Sequence, residues 1–353
     1  MTRRPTTASA VTLLVALLAG LLAACGTTSE ADGAERRPER GEEAASTSTS
    51  EGCEDDATPT ATGPVRLTDH VGRTVELDAP AQRVAVLEWQ QLEDVLTLCL
   101  TPVAVADAEG YSTWVSAEEL PEGVADVGGR SEPNLDAVFA AEPDLVIVEA
   151  TGADDEIIGQ LEGFGVPVLA TRGADAADPV QHMLDLFTLI AEATGRTARA
   201  EEVVAEFEAS LADAQAAVAD AVLPSTDFVY LDGYLEGGNV ALRPFGQGSL
   251  VGELGEELGL TNAWTGEVDA AYGLGQSDIE GMAAVGDATF FHTGTDDPEA
   301  DDVFAALEQN PIWSSLPAVA EDRVHAFPTG IWTFGGPRSS QQVLDAYVDL
   351  LTD

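Results

Sequence analysis

Thr197 to Val222 reads as one unbroken helix, and strand–helix alternation on both sides of it leaves few folds open. At ~1.5 Å per residue it would run about 39 Å. Val204, Phe207, Leu211, Val218 and Val222 recur at helical intervals and make one apolar stripe. No Gly or Pro interrupts it before Pro224. A rigid rod between two similar α/β halves predicts two lobes with a cleft between them.

The charge balance limits the partners. The 353 residues carry 63 acidic against 15 basic side chains, all 15 of them Arg, for a net charge of −48. Such a surface repels nucleic acid and anionic membrane, so neither is expected as a partner. At the N-terminus, Arg3 and Arg4 precede an apolar run, Ala10 to Leu22, too short to span a bilayer. It ends in Leu22-Ala23-Ala24-Cys25, small residues followed by Cys, as in a bacterial lipobox. Residues 1–24 are expected to be a signal peptide, and Cys25 a lipidated first residue that anchors the chain outside the cell membrane. The anchor is then the chain's contact with the membrane. Residues 26–63 are Ser, Thr, Glu, Gly and Ala with almost no large apolar residue, the composition of a solvated tether. Cys53 and Cys99 remain, an even number in a compartment where disulfides persist, and a Cys53–Cys99 bridge is expected. The alternative is two free thiols.

Order begins near Val65, where two short strands flank Asp69-His70-Val71-Gly72-Arg73, a hairpin signal. Strands at 83–87, 103–106, 144–148 and 167–170 alternate with helices at 90–98, up to Ala141, and 155–163. A helix from Asp178 to near Gly195 precedes the rod. The second half repeats the alternation, with strands at 228–231, 240–242, 289–292 and 324–327 and helices near 249–258, 278–285, 300–308 and 338–351. A mainly parallel sheet is expected in each half.

No phosphate-cradling loop, nucleophile elbow or His-Glu-x-x-His pair occurs, and the four histidines never fall at helical ligand spacing. Carboxylates are too numerous for any pair to stand out. Aromatics are scarcer, and several sit in expected loops beside Gly, Asn or Pro: Trp114, Trp264, Tyr272, Trp332 and Phe334. Each alone could be a local core plug. Together, on loops from both halves, they point to an apolar cleft. Trp89 and Trp313 lie in or beside helices and read as core. Arg130 follows a Gly-Gly turn. It could neutralise a nearby carboxylate, or offer ligand oxygens a fixed fork of donors. Arg243 and Arg338 are further candidates of that type.

Segments RVAVLEW at 83–89, VAD at 105–107, DVGGRSEPNLDAV at 126–138, EPDLVIV at 142–148, NAWTGE at 262–267, PIWSSLPAV at 311–319 and IWTFGG at 331–336 together resemble the substrate-binding proteins of ABC importers for iron–siderophore complexes. The ferric-hydroxamate-binding type is the most similar. The resemblance implies an α/β chain of two Rossmann-like lobes joined by one long α-helix, the class III periplasmic-binding-protein fold. That places the N-terminal lobe at 64–195, the connecting helix at 196–223 and the C-terminal lobe at 224–353. It implies capture without catalysis, no resident cofactor because iron arrives inside the siderophore, a monomer, and delivery to an ABC permease and its ATPase. It implies that Arg130 bonds hydroxamate oxygens and that Trp114, Trp264, Tyr272, Trp332 and Phe334 wall the cleft, with Arg243 beside them. A ligand-contacting Tyr of that type falls near Thr151 here. Glu156 and Glu280 fall at the positions of the two carboxylates that dock onto the permease. Haem, cobalamin or ferric citrate remain alternative cargoes, and a chelatase-like enzyme or a surface sensor alternative roles.

Overall fold

The computed structural model describes residues 52–236, 239–294 and 303–352. The expected signal segment, Cys25 and the linker before residue 52 lie outside them. The chain opens with an antiparallel hairpin, β1 (Val65–Thr68) and β2 (Thr74–Leu77), where Val65 faces Leu77 and Thr68 faces Thr74. There follow β3 (Val84–Val86), α1 (Trp89–Thr97), β4 (Ala104–Val105), α2 (Ala108–Trp114), β5 (Ala125–Asp126), α3 (Leu135–Ala140), β6 (Leu145–Glu149), α4 (Glu156–Glu162) and β7 (Val168–Thr171). These strands form one parallel sheet in the order β5-β4-β3-β6-β7. β3, and β6 up to Val148, are buried along their lengths, as strands covered by helices on both faces must be. The order reverses between β3 and β6. A crevice at the carboxyl ends of these two strands is where open α/β sheets bind ligands.

Two helices join the lobes. α5 (Pro179–Thr194) ends at Gly195, whose φ of +73° closes the helix in a left-handed cap. α6 (Thr197–Asp220) follows directly. The second lobe holds β8 (Asp227–Glu236), β9 (Asn239–Phe245), α7 (Leu250–Glu257), β10 (Thr261–Asn262), β11 (Thr289–Gly294), α8 (Val303–Glu308), α9 (Pro317–Ala320), β12 (Val324–Thr329) and α10 (Pro337–Thr352). Its sheet runs β10-β8-β11-β12 in parallel, with β9 antiparallel on β8. The alternation expected from sequence missed this hairpin, although Gly237-Gly238 between the two strands is a hairpin signal. The expected helix at 278–285 is a single 3-10 turn, Gly281–Val285.

The rod does span both cores. Ala200 and Val203 pack into the first lobe, and Phe207, Ala214 and Val218 into the second. It is not alone, because α5 puts Met183 in the second core and Leu186 to Ala193 in the first. Val222 was expected on the stripe but is 98% exposed. The helix stops at Asp220 and Ala221 is extended, just before Leu223, which Pro224 biases away from helix.

Residues 53–61 are docked rather than a free tether. Cys53 and Cys99 form a disulfide with Cα atoms 5.4 Å apart. Arg196 pairs with Asp56 and donates to the Thr58 carbonyl (3.2 Å) and the Thr60 hydroxyl (3.1 Å), and the Ala61 amide donates to the Gly195 carbonyl (2.7 Å). Burial pushes the Asp56 carboxyl up, but the Thr58 donors and Arg196 outweigh it and hold it below its usual range.

The lobes also meet away from the two helices. Glu93 of α1 is fully buried and receives the Ser339 amide (2.8 Å) and hydroxyl (2.6 Å) at the start of α10. Asp94 beside it is equally buried, and neither of its oxygens has a donor among the described residues. A side chain at Gly335 or Gly336 would strike these carboxyls, so the glycines let the two elements close.

Exchanging Cys53 and Cys99 together for Ser should lower the unfolding free energy by about 2–4 kcal/mol, the usual range for a bridge closing a loop of this order. The 46-residue separation sets that loop, and denaturant midpoints with and without reductant would read the effect. Burial raises Glu93 from 4.5 to about 7, against the Ser339 donors and with help from the Glu118 charge. Asp94 is raised as well, by burial and by Glu93. A folded value above the unfolded one favours the protonated protein. Glu93 therefore supports the fold fully below pH 4.5, and that support is lost as pH rises to about 7. Glu93→Gln should flatten the fall in melting temperature across this window. An unchanged slope would refute the assignment.

Candidate functional site

A cleft of about 530 Å³ lies between the lobes, lined by Glu88, Gln90, Gln91, Arg130, Glu149 and Gly173 from the first and Arg243, Tyr272, Leu274, Trp332 and Phe334 from the second. The first-lobe residues cluster at the carboxyl ends of the parallel strands. Glu88 follows β3, Arg130 follows β5, Glu149 ends β6 and Gly173 follows β7. Glu88 and Glu149 thus flank the point where the strand order reverses.

Arg130 is held on three sides. Its Nη1 donates to both Glu88 oxygens (2.7 and 3.2 Å), its Nε lies 3.8 Å from Asp107, and its guanidinium stacks 3.7 Å above the Trp89 ring. Glu88 also accepts the Trp89 amide at the start of α1 (3.1 Å). The carboxylate-neutralising role and the fixed fork considered for Arg130 are therefore the same arrangement. A cation over an indole face keeps its outward N–H groups free in direction while losing little rotamer freedom. On the opposite wall Arg243 donates to Asp232 (Nε to Oδ1, 2.8 Å) and lies 5.7 and 5.8 Å from the rings of Phe245 and Phe334.

Aromatic rings run across the cleft in a chain. Trp89 meets Trp332 edge-on at 4.9 Å, Trp332 meets Phe334 at 5.2 Å, and Phe334 meets Tyr272 at 5.5 Å. The Tyr272 hydroxyl donates to Glu149 across the lobes (2.9 Å). Burial first, and then the Glu149 charge, push the Tyr272 phenol far up, so it stays a donor. Burial also raises the Glu149 carboxyl. The Glu88 charge adds to that, while Tyr272, Arg130 and the Gly173 amide oppose it. A side chain at Gly173 would collide with the Tyr272 hydroxyl, so this close approach requires Gly.

Of the aromatics expected on the wall, Tyr272, Trp332 and Phe334 line the cleft and Trp114 and Trp264 do not. Trp114 ends α2, not a loop, and packs on the first core. Trp264 is 7% exposed in the second core, where a side chain at Gly246, Gly266 or Gly275 would strike its ring. The three glycines make a slot that only the indole fills. Trp89, read as core, is buried as expected but also forms the seat under Arg130. Arg338 pairs with Glu206 (2.6 Å) away from the cleft. Thr151 bonds Asp155 at the start of α4 (3.1 Å) and does not line the cleft. Glu156, in the first turn of α4, and Glu280, just before the 3-10 turn, are both exposed on the surface. Sequence reasoning missed Glu88, Gln91 and Glu149. Their signal was position rather than residue type: Glu88 and Glu149 sit at the carboxyl ends of parallel strands, and Gln91 in the first turn of the helix that follows β3.

Residues 84–329 match the family model described as periplasmic binding protein. Among curated relatives, the iron(3+)-hydroxamate-binding protein FhuD of Escherichia coli is 29% identical over 273 residues, covering 74% of this chain and 86% of that protein. The iron-uptake system-binding protein of Bacillus subtilis is 25% identical over 353 residues, covering 97% and 98%. Among solved structures, FhuD from Vibrio cholerae bound to Fe3+-Desferal superposes with a TM-score of 0.63 at 26% identity, covering 76% of this chain and 97% of that one. A periplasmic solute-binding protein from Mycobacterium smegmatis gives a TM-score of 0.66 at 22% identity, which speaks to fold alone.

Proposed function

The chain belongs to the periplasmic binding protein family, and from that membership we propose that it is an extracytoplasmic lipoprotein that captures a ferric siderophore of the hydroxamate type and delivers it to an ABC permease for iron uptake. The observation that carries this reading is the cleft itself. Two guanidiniums, each seated on or beside aromatic rings, face each other across a chain of aromatic side chains. A ferric trishydroxamate presents an oxygen-rich centre on an apolar frame. Guanidinium N–H groups suit the oxygens, and the rings gain about 25 cal/mol per Å² of apolar surface covered. The relatives named for ferric hydroxamate and bound to Fe3+-Desferal support the same cargo.

Capture requires no chemistry from the protein. Both cleft guanidiniums are held by carboxylates and the Tyr272 hydroxyl by Glu149, as a binding wall needs, and the relatives are binding proteins. Iron is cargo and enters within its chelate, so no resident cofactor is invoked. Lipidation at Cys25 would hold the chain at the membrane face, and relatives named as lipoproteins agree with this. Glu156 and Glu280, exposed on different lobes, suit docking to arginines of a permease that receives the cargo. Ferric citrate is the second reading, favoured by a relative named for it that is 28% identical over 275 residues.

Titration of tryptophan fluorescence with ferric hydroxamate, catecholate, citrate, haem and cobalamin ligands tests the cargo, since Trp89 and Trp332 sit at the cleft. Arg130→Ala should weaken ferric hydroxamate binding about 30-fold or more, the worth of charge-assisted hydrogen bonds. Trp332→Ala should weaken it about tenfold through lost ring contact. Undiminished affinity in both would reject the cleft as the site. Glu156→Arg with Glu280→Arg should abolish cellular uptake of the ferric chelate while the purified protein still binds it. Normal uptake would remove the docking assignment.

A further inference from the structure

The fixed charges of the cleft do not balance. On the first lobe Arg130 faces Glu88 and Asp107, and it also opposes the raised Glu149 carboxyl. On the second lobe Arg243 is taken by Asp232. Glu149 is left over. Its donors are the Tyr272 hydroxyl and the Gly173 amide, and among the described residues no guanidinium bonds it. Gln91 lines the same wall at 1% exposure. Its Nε2 donates to the Thr171 hydroxyl (2.9 Å), and its Oε1 has no donor among the described residues. This side of the cleft is therefore rich in acceptors and short of positive charge.

We propose that Glu149, with Glu88 and the Gln91 carbonyl, forms a subsite for a protonated amine on the incoming ferric chelate, so that the protein selects chelates bearing an ammonium over neutral or anionic ones. An ammonium brings three donors and one positive charge, which matches both deficits. The Glu88 charge acts on Glu149 from the same wall, so a cation placed between the two carboxylates relieves that repulsion. A tri-anionic chelate meets the opposite situation, because Arg130 and Arg243, the guanidiniums lining the cleft among the described residues, are each already paired with a carboxylate. The inference rests on the reading of the cleft as a ferric-siderophore site and adds the charge of the cargo to it.

The test uses the full-length protein and three probes: ferric Desferal, a trishydroxamate with a free terminal amine, its N-acetylated form, and a ferric triscatecholate. Acetylation should weaken binding by about tenfold or more, the worth of a lost charged hydrogen bond. In Glu149→Gln the ratio between the two hydroxamates should fall towards one. Tyr272→Phe removes the interlobe hydrogen bond but keeps the charge, so it should weaken both hydroxamates by a common factor and preserve their ratio. Equal binding of the amine and acetylated forms by the unaltered protein overturns the ammonium subsite and leaves the siderophore reading intact. So does a ratio that survives Glu149→Gln. Preference for the triscatecholate overturns the ammonium subsite together with the hydroxamate assignment, and binding of none of the three overturns the siderophore reading beneath it.

Discussion

The grip of Glu93 on the first turn of α10 sets the geometry that the cleft depends on. Glu93 belongs to α1 of the first lobe, and the groups it accepts from belong to Ser339 of the second. Five residues upstream of Ser339 is Phe334, and Trp332 lies two before that. The segment carrying two of the cleft's rings is thus anchored to the opposite lobe within a few residues. Burying a carboxyl here is costly unless it is protonated or capped by donors. The start of a helix offers unsatisfied N–H groups for that purpose. The same helix α1 is capped by Glu88, which holds Arg130. One helix therefore places the cation at its N-cap and the ring-bearing segment at its fifth residue.

That arrangement limits how the lobes can move. Two helices, α5 and α6, carry side chains into both cores, and the Tyr272–Glu149 bond closes the cleft's far side. Opening must break the interlobe hydrogen bond and part Trp332 from Trp89, while the Glu93 contact stays as a pivot. Small adjustment at the cleft mouth is cheap in such a design. Wide hinge motion would cost two packed helices.

The long helix and the doubled α/β pattern were legible because period and length are local properties that tertiary contacts seldom reverse. The end of the rod was less so: Val222 fits the stripe, but the chain had already turned extended at Ala221. The docked run at 53–61 looked like a tether because it carries almost no apolar residue. It is held instead by a disulfide and by Arg196, which leave no hydrophobic signature. Trp264 shows the limit most clearly. A loop tryptophan beside Asn262 looks the same whether it faces a ligand or plugs a core. What decides it is a slot of three glycines at 246, 266 and 275, distant in sequence and meaningful only once folded. Glu88 and Glu149 were hidden for the converse reason. Among 63 acidic residues no type-based search could separate them, whereas strand position could.

Positive charge is the scarce resource of this chain, and its placement links stability to recognition. With 15 Arg and no Lys against 63 acids, each guanidinium settled in a fixed role weighs heavily. Arg196 fastens the docked N-terminal run, Arg323 bonds the Asp287 and Ala288 carbonyls beneath β11, and Arg338 ties α10 to α6 through Glu206. Arg130 and Arg243 are the ones that line the cleft. Each is held by a carboxylate there, so a ligand oxygen must share a guanidinium that is already bonded rather than meet a bare cation. The surrounding field is negative at long range, which slows the approach of anions and speeds that of cations. Local pairing and the global field thus bias the cleft in one direction. A ligand gains most when it brings oxygens that can share two seated guanidiniums, an apolar frame for the rings, and as little negative charge as possible.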